Sequence, residues 1–375
     1  MKICFDISYI QRRRAGIGRC STAYLASLLA ASHGHEFILH GWSRGLDIAA
    51  LERFSAPNVL LKVARIPGAA KRFYWRKLSW PGVELFAGDI DIFQSMDPLL
   101  PPARRARRVA TVHDLAYKRF PEFFDRSVLA LGNDIVRSLS RADAIVVPSS
   151  ATKSDVEEML KLPSSRVHVV APPLDPIFSQ SRSGDKAVLS PYQVSSPYIL
   201  FVGTMEPRKN VASLVRAFEI LHARRPLPHR LILVGKKGWL CRGILEAIRN
   251  SPVREKIRRL DYISDQDLPS FYRSADLFVY PSFYEGFGLP VFEAMASGTP
   301  VITSNIPSMQ ELAGRAALMV DPLSVDELAS AMISVLEDDA RRAALVAEGT
   351  HRARELSSRK AGSSLLSIYE SLAGS

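Results

Sequence analysis

The sequence predicts an α/β protein built from two doubly wound domains with mostly parallel sheets. Three observations carry this. Short β-branched apolar runs recur without strict alternation, the pattern of strands buried on both faces. In the first half they fall at residues 2–7, 36–41, 59–63, 91–94, 108–112, 143–148 and 166–170, and in the second at 198–202, 230–234, 259–263, 277–281 and 300–303. Amphipathic segments of helical length lie between them, at 21–32, 211–223, 268–274, 290–297, 309–313 and 325–338, and strand–helix alternation indicates parallel strands joined by helical crossovers. The 375 residues also suit two domains. Residues 179–197, rich in Ser, Gly, Pro and mixed charge and without periodicity, read as the linker. The expected parts are a domain over 1–178, the linker, and a domain over 198–355. A mostly helical C-terminus ends in 356–375.

Composition narrows the function classes. Hydrophobic residues are 47% and charged residues 23%, enough apolar surface for a packed core and too much for a disordered chain. Cys4, Cys20 and Cys241 are too few and too scattered for a disulfide framework or a thiolate metal site. No apolar run reaches the length of a spanning helix. The first apolar stretch, 3–10, is interrupted by Asp6 and followed by Arg12-Arg13-Arg14, unlike a secretory signal. A soluble, cytoplasmic protein is the expectation.

The net charge of +11 is concentrated. Residues 1–120 hold 19 Lys+Arg against 9 Asp+Glu, whereas the other 255 hold 30 against 29. Such asymmetry points to an anionic partner of the N-terminal part, or to clustered solubility charge. Residues 62–80 carry six Lys or Arg, no acid, and Phe73, Tyr74, Trp75 and Trp80. That mixture suits a bilayer interface, single-stranded nucleic acid, or a solvated loop with packed aromatics. Arg104, Arg105, Arg107 and Arg108 form a second basic patch.

Four clusters follow predicted strands, where doubly wound sheets receive ligands. In 281–294, Glu285 precedes a turn with Gly286, Phe287, Gly288 and Leu289, and Glu293 lies in the next helix. Glycines there permit close approach to a ligand, and the amides at the helix start suit an anion. A plain glycine-rich turn gives the same pattern. In 201–210, Gly203 and Thr204 end a strand, and Arg208 and Lys209 open a helix. These cations suit a diphosphate or form a solvated pair. In 14–19, Gly16 and Gly18 follow the first strand, but Ser21 stands where a dinucleotide fingerprint needs its third glycine. In 111–117, His113 can be an acid/base, a hydroxyl ligand or a core residue, beside Asp114 and Tyr117. His33, His35, His40, His222 and His229 lack metal-ligand spacing and are assigned to surface or packing.

Taken together these segments resemble the family-4 retaining glycosyltransferases of the GT-B fold, over nearly the whole chain. The strongest element is the E-x7-E segment Glu285…Glu293 in E-G-F-G-L-P-V-F-E-A. V-G-T-M-E-P-R-K-N at 202–210, V-G-K-K-G-W at 234–239, the segments at 262–268 and 275–282, and T-V-H-D-L at 111–115 follow the same family order. The closest motif style is that of bacterial mannosyltransferases of surface-polysaccharide and O-antigen assembly.

The resemblance implies two domains facing across a cleft, with 356–375 crossing back to the first. Gly16 and Gly18 would approach the donor diphosphate, and Gly203, Thr204, Arg208 and Lys209 would bind it from the second domain. Tyr262, Ile263 and Leu268 would border the base, and Glu293 would hold the ribose. Glu285 with the amides of Gly286, Phe287, Gly288 and Leu289 would hold the sugar and its phosphate. Glu285, His113, Lys209 and Arg208 are the catalytic candidates, with His113, Asp114 and Tyr117 on the acceptor side. One departure stands out: many relatives carry Arg where this chain has Thr204.

The implied reaction is metal-independent transfer of a hexose from a nucleotide diphosphate sugar with retention, needing no other cofactor. A GDP-sugar is favoured over a UDP-sugar, with mannose first and GDP-deoxyhexoses next. The acceptor is expected to be a polyprenyl-diphosphate-linked glycan or a lipopolysaccharide glycan at the inner face of the cytoplasmic membrane. Lys71, Arg72, Trp75, Arg76 and Lys77 would contact its anionic surface, and nucleic acid is not an expected partner. The alternatives are a UDP-sugar transferase, a GT-B epimerase or phosphorylase, and a non-catalytic basic protein that binds nucleic acid or membrane.

Overall fold

The structure, a computed structural model, describes residues 1–11, 16–42, 46–64, 74–75, 80–180, 184–357 and 360–374. The chain forms two compact units. Unit 1 comprises Met1–Lys118, Ser127–Pro173 and Arg359–Ser375, and unit 2 comprises Arg119–Arg126 and Leu174–Ser358.

Unit 1 holds seven strands: β1 (Lys2–Asp6), β2 (Glu36–Gly41), β3 (Val59–Val63), β4 (Ile92–Ser95), β5 (Arg107–Thr111), β6 (Ala144–Val147) and β7 (Val167–Val169). Their order is β3-β2-β1-β4-β5-β6-β7, every pair parallel. Ile3, Cys4 and Phe5 pair with Phe37, Ile38 and Leu39 on one side and Ile92, Phe93 and Gln94 on the other. Helices cover both faces of such a sheet, so β1, β2, β4 and β6 are buried along nearly their whole length, whereas edge strand β3 is partly exposed.

Unit 2 holds six: β8 (Tyr198–Val202), β9 (Arg230–Val234), β10 (Ile257–Leu260), β11 (Leu277–Tyr280), β12 (Val301–Ser304) and β13 (Leu318–Val320), in the parallel order β10-β9-β8-β11-β12-β13. All of β8 and β11 is buried. The helix Val211–Arg224 packs Val211, Leu214, Val215, Phe218 and Leu221 into the core, the spacing of one helical face.

Four details differ from the sequence expectation. Residues 184–197 are no structureless linker: they contain a helix, Asp185–Leu189, and a 3-10 turn, Ser190–Tyr192. Leu189 and Val194 are buried in the unit 2 core, and Asp185 pairs with Arg273 at 2.6 Å. Strand β10 ends at Leu260, earlier than expected, so Tyr262 and Ile263 lie in the following loop. Three-residue β13 was too short to show as a period.

The largest difference is Arg119–Arg126, expected in the first domain but packed with unit 2. Phe123 stacks on Phe283 at 5.5 Å and Phe124 lies 5.4 Å from Trp239. The Trp239 Nε1–H donates to the Phe123 carbonyl at 2.7 Å. Burial of three phenylalanines against aromatic partners outweighs continuity of the chain.

The last helix, Ala361–Ala373, belongs to unit 1. Gly362 lets it approach the helix Gly16–Ala31 so closely that a Cβ would lie 2.0 Å from the Ser27 carbonyl oxygen. The Tyr369 hydroxyl donates to Gln94 Oε1 at 2.8 Å, fixing the helix to β4. Among the described residues no helix is long and apolar enough to cross a membrane.

Candidate functional site

In unit 2 the strand order reverses between β8 and β11, and a crevice opens beyond their carboxyl ends at such a switch point. The loops leaving these two strands carry the two richest sequence clusters. Gly203 follows β8, and its amide donates to the Val234 carbonyl. Its own carbonyl oxygen lies 1.8 Å from where a Cβ on Gly235 would sit, so Gly235, at φ +152°, must be glycine for the turns after β8 and β9 to meet. Thr204 follows, partly buried.

The chain then makes a 3-10 turn, Pro207–Lys209, and Asn210 at φ +55° redirects it into the helix Val211–Arg224. The Asn210 side chain holds this corner by donating to the Pro322 carbonyl at 2.8 Å. The turn aims Arg208 and Lys209 at the loop after β11, whose Phe283 amide donates to the Arg208 carbonyl.

The charged groups form one buried network. Lys209 Nζ donates to Glu285 Oε1 at 2.5 Å and to the Tyr280 hydroxyl at 2.6 Å. Arg208 Nη1 donates to Glu285 Oε2 at 3.1 Å and to the Tyr284 carbonyl at 2.9 Å. Arg208 Nη2 donates to Glu206 Oε1 at 2.8 Å. Two cations thus face two carboxylates, all nearly excluded from water: Glu206 is 2% exposed and Glu285 8%.

Burial alone would raise the Glu285 carboxyl, but Lys209 and Arg208 overcome it and hold the group at about 2. Burial, reinforced by Arg208, lowers the Lys209 ammonium against the pull of Glu285. Burial, with Glu285 beside it, raises the Tyr280 phenol, so Tyr280 stays protonated. An anion entering here meets cations already paired, and must share or displace Glu285. Such fixed charge in a water-poor site suits a group whose negative charge grows during reaction.

Past Glu285 the loop runs through Gly286 and Phe287 to Gly288, at φ +98°, where a Cβ would strike Met309 Cε at 2.4 Å. Leu289 opens the helix Leu289–Ala296; Pro290 has no N–H, and the Val291 and Phe292 amides donate to the Gly288 carbonyl. Glu293, one helical turn in, is 2% exposed and accepts from the Tyr272 hydroxyl at 2.8 Å, so it is not a solvated helix residue. Ile263 and Leu268 are buried, and Tyr262 is 40% exposed. Structure therefore joins Arg208, Lys209 and Glu285 directly. It adds Glu206, Tyr280 and Tyr272, which sequence reasoning had not chosen. Glu206 sits inside the E-P-R-K-N motif, and Tyr280 ends the strand feeding the Glu285 turn; those were the available signals.

Unit 1 carries the other candidates. Gly18 is buried in the first turn of the helix Gly16–Ala31, and its carbonyl accepts from Thr22 Oγ1 at 2.8 Å. A Cβ on Gly16 would meet nothing within 4 Å, so packing does not demand that glycine. His113 Nε2 lies 3.2 Å from the Met96 carbonyl. Burial lowers its pKa, against Met96, Asp114 and Asp97. Asp114 Oδ1 accepts from the Ala116 amide at 3.0 Å, the capping arrangement. Tyr117 is pushed up to about 12 by burial and by Asp114. Among the membrane candidates, Lys71, Arg72, Arg76 and Lys77 lie outside the described residues. Trp75 is partly buried, edge-on to Trp42 at 5.1 Å. Among the described residues no group of three or more His, Cys, Asp and Glu side chains is placed to hold a metal ion.

Two all-parallel Rossmann-like units in one chain are the architecture of GT-B glycosyltransferases, and solved structures share it. HepE from Anabaena, solved with UDP and glucose, matches at a TM-score of 0.77 and 18% identity over 100% of both chains. WaaG, a glycosyltransferase involved in lipopolysaccharide biosynthesis, matches at 0.73 and 16% identity over 97% of this chain and 99% of that one. The sequence profile named Glycosyltransferase Family 4 matches residues 16–178, and that of the glycosyl transferases group 1 matches 190–352. O-antigen chain mannosyltransferase B of Escherichia coli is 32% identical over 99% of this chain and 100% of its own length. O-antigen chain mannosyltransferase RfbU of Salmonella typhimurium is 27% identical over 56% of each. The chain belongs to the family-4 glycosyltransferases of the GT-B fold.

Proposed function

We propose that this glycosyltransferase moves a mannosyl residue, or a related hexose, from a GDP-sugar to a lipid-linked or lipopolysaccharide glycan, with retention and without a metal ion. The observation that carries the reading is the buried Glu206–Arg208–Lys209–Glu285 network at the strand switch point. The full-length similarity to an O-antigen mannosyltransferase supports the choice of sugar and acceptor.

In this mechanism the bond from the anomeric carbon to the donor phosphate oxygen breaks, and a bond to the acceptor hydroxyl oxygen forms on the same face. The acceptor proton passes to the departing phosphate. Arg208 and Lys209 turn from Glu285 toward the diphosphate and stabilise its growing charge. Glu285, thereby released, accepts hydrogen bonds from hydroxyls of the transferred sugar. Glu206 keeps Arg208 in place throughout. Glu293 exchanges its bond to Tyr272 for the ribose, and neutral His113 with Asp114 serves the acceptor side. A lipid-linked acceptor and the basic sequence around Lys71, Arg72, Arg76 and Lys77 support action at the inner face of the cytoplasmic membrane.

The test is a thermal-shift and turnover panel of GDP-, UDP- and ADP-sugars, with and without chelator. Mass action raises the melting temperature only for ligands of the native state. A rise with GDP-mannose, and transfer that persists in excess chelator, are expected. Stabilisation by UDP-sugars alone overturns the donor assignment, and a strict divalent-ion requirement overturns the metal-free one.

A further inference from the structure

A second feature lies wholly within unit 1 and takes no part in that network. A cleft open to solvent runs between residues 99–102 and the helix Gly132–Leu139. The Leu100 amide donates to Ser138 Oγ at 2.7 Å, tying the two walls together. Leu99, Leu100, Pro101 and Leu131 give the cleft an apolar lining, and Trp75 stands at it. Arg108, Arg137 and Arg141 line it as well, with Asp134 the one carboxylate among the lining residues.

The arginines are unequally engaged. The Asp143 carboxylate beside Arg108 accepts from the Arg108 amide and from Arg107 Nη1, while Arg108 Nε, 3.9 Å from it, is buried without a hydrogen-bond partner. Arg137 and Arg141 are exposed, and no ion pair joins either to a carboxylate among the described residues. A soluble anion would satisfy these guanidiniums and leave the partly exposed Leu99 and Leu131 facing water. A plain hydrocarbon would do the reverse.

We propose that this cleft binds one anionic phospholipid of the membrane, its phosphate on Arg108, Arg137 and Arg141 and part of a hydrocarbon chain along Leu99, Leu100 and Leu131. The planar guanidinium matches phosphate oxygens pairwise, and Trp is a residue type of the bilayer interface. In sequence, Trp75 sits between Arg72 and Arg76. This goes beyond the diffuse contact suggested for residues 71–77: it is a discrete site.

The experiment measures binding of dodecyl phosphate, below its micelle concentration, to the full chain by calorimetry. Inorganic phosphate and dodecyl maltoside are controls. Saturable binding of dodecyl phosphate is expected, at least a hundredfold tighter than either control. Arg137→Glu with Arg141→Glu should weaken it about a hundredfold, at roughly tenfold per lost charged contact. The milder Arg141→Gln should weaken it about tenfold, and serves if the double reversal lowers melting. Equal affinity for inorganic phosphate reduces the cleft to an anion site, and equal affinity for the maltoside to an apolar one; either overturns the proposal. So does unchanged affinity in the arginine variants. Phosphatidylglycerol vesicles give the second arm. Loss of vesicle binding on reversing Lys71, Arg72, Arg76 and Lys77, with none on reversing Arg137 and Arg141, overturns the lipid assignment.

Discussion

Replacing Glu285 by Gln keeps its shape and removes its charge, leaving Arg208 and Lys209 buried around a neutral amide. The cost follows from the carboxyl itself. Holding it at about 2 rather than at 4.5 corresponds to about 3 kcal/mol of stabilisation by the ionised form. At 8% exposure solvent screens little of this. Breaking a buried pair by deleting one partner costs about 3–5 kcal/mol in other proteins, which agrees. For a unit of about 190 residues, each kcal/mol moves the melting temperature by roughly 2–4 °C, so Glu285→Gln should lower the unit 2 transition by about 6–12 °C at pH 7.

The sign of the pH dependence is fixed. A depressed carboxyl stabilises fully above its unfolded pKa and loses that contribution as pH falls through its folded one. The gap between parent and variant should therefore be constant from pH 7 to about 5 and close between about 4.5 and 2. Scanning calorimetry reads the melting temperature. A variant melting within about 2 °C of the parent at pH 7, or a gap that does not narrow with acid, refutes the reasoning. Adding Lys209→Met should recover part of the loss, because it removes one of the two buried cations left facing the neutral amide.

Glu285→Ala and Lys209→Ala should each lower turnover by orders of magnitude while circular dichroism reports an intact fold; near-normal transfer by either would sink the site. Gly235→Ala, forced against the Gly203 carbonyl, should abolish the unit 2 melting transition or lower it by more than 10 °C, roughly the effect of several kcal/mol, whereas Gly16→Ala should leave melting unchanged. Trp239→Phe removes the bond to the Phe123 carbonyl, about 1 kcal/mol, and should speed hydrogen exchange in 120–124 without a comparable change elsewhere in unit 2. His113 is held neutral by burial, so its share of stability is complete above pH 6.5 and falls as acid protonates the unfolded chain first; His113→Gln should flatten the stability profile below pH 6.5.

The parts of the fold legible in the sequence were those with a local signal. Strands β8 and β11 are five- and four-residue apolar runs ending at glycine-bearing turns, so both site loops are legible in the sequence. Arg208, Lys209 and Glu285 stood out through the R-K-N and E-x7-E segments that resemble the family, since alone a solvated pair and a plain turn account for them as well. That they would bond to one another could not be read, because 76 residues separate Lys209 from Glu285. Tyr272 and Tyr280 fall inside a predicted helix and a predicted strand with no motif to mark them; only packing brings their hydroxyls to Glu293 and Lys209. Residues 184–197 looked like a linker because Ser and Pro hide a one-turn helix that exists through the burial of Leu189.

The placement of Arg119–Arg126 decides where this enzyme can be cut and joined. The chain passes between the two units four times, at 118/119, 126/127, 173/174 and 358/359. A chimera that exchanges the second half at residue 178 alone would leave Trp239 and Phe283 without Phe124 and Phe123, and would bring along a foreign last helix that need not carry a glycine opposite Ser27. Recombination that preserves both halves must carry 119–126 with unit 2 and retain 359–375 with unit 1. Grafts respecting all four junctions should be recovered soluble more often than grafts made at the single obvious boundary, so the order of exchange in this architecture is set by an eight-residue aromatic insert.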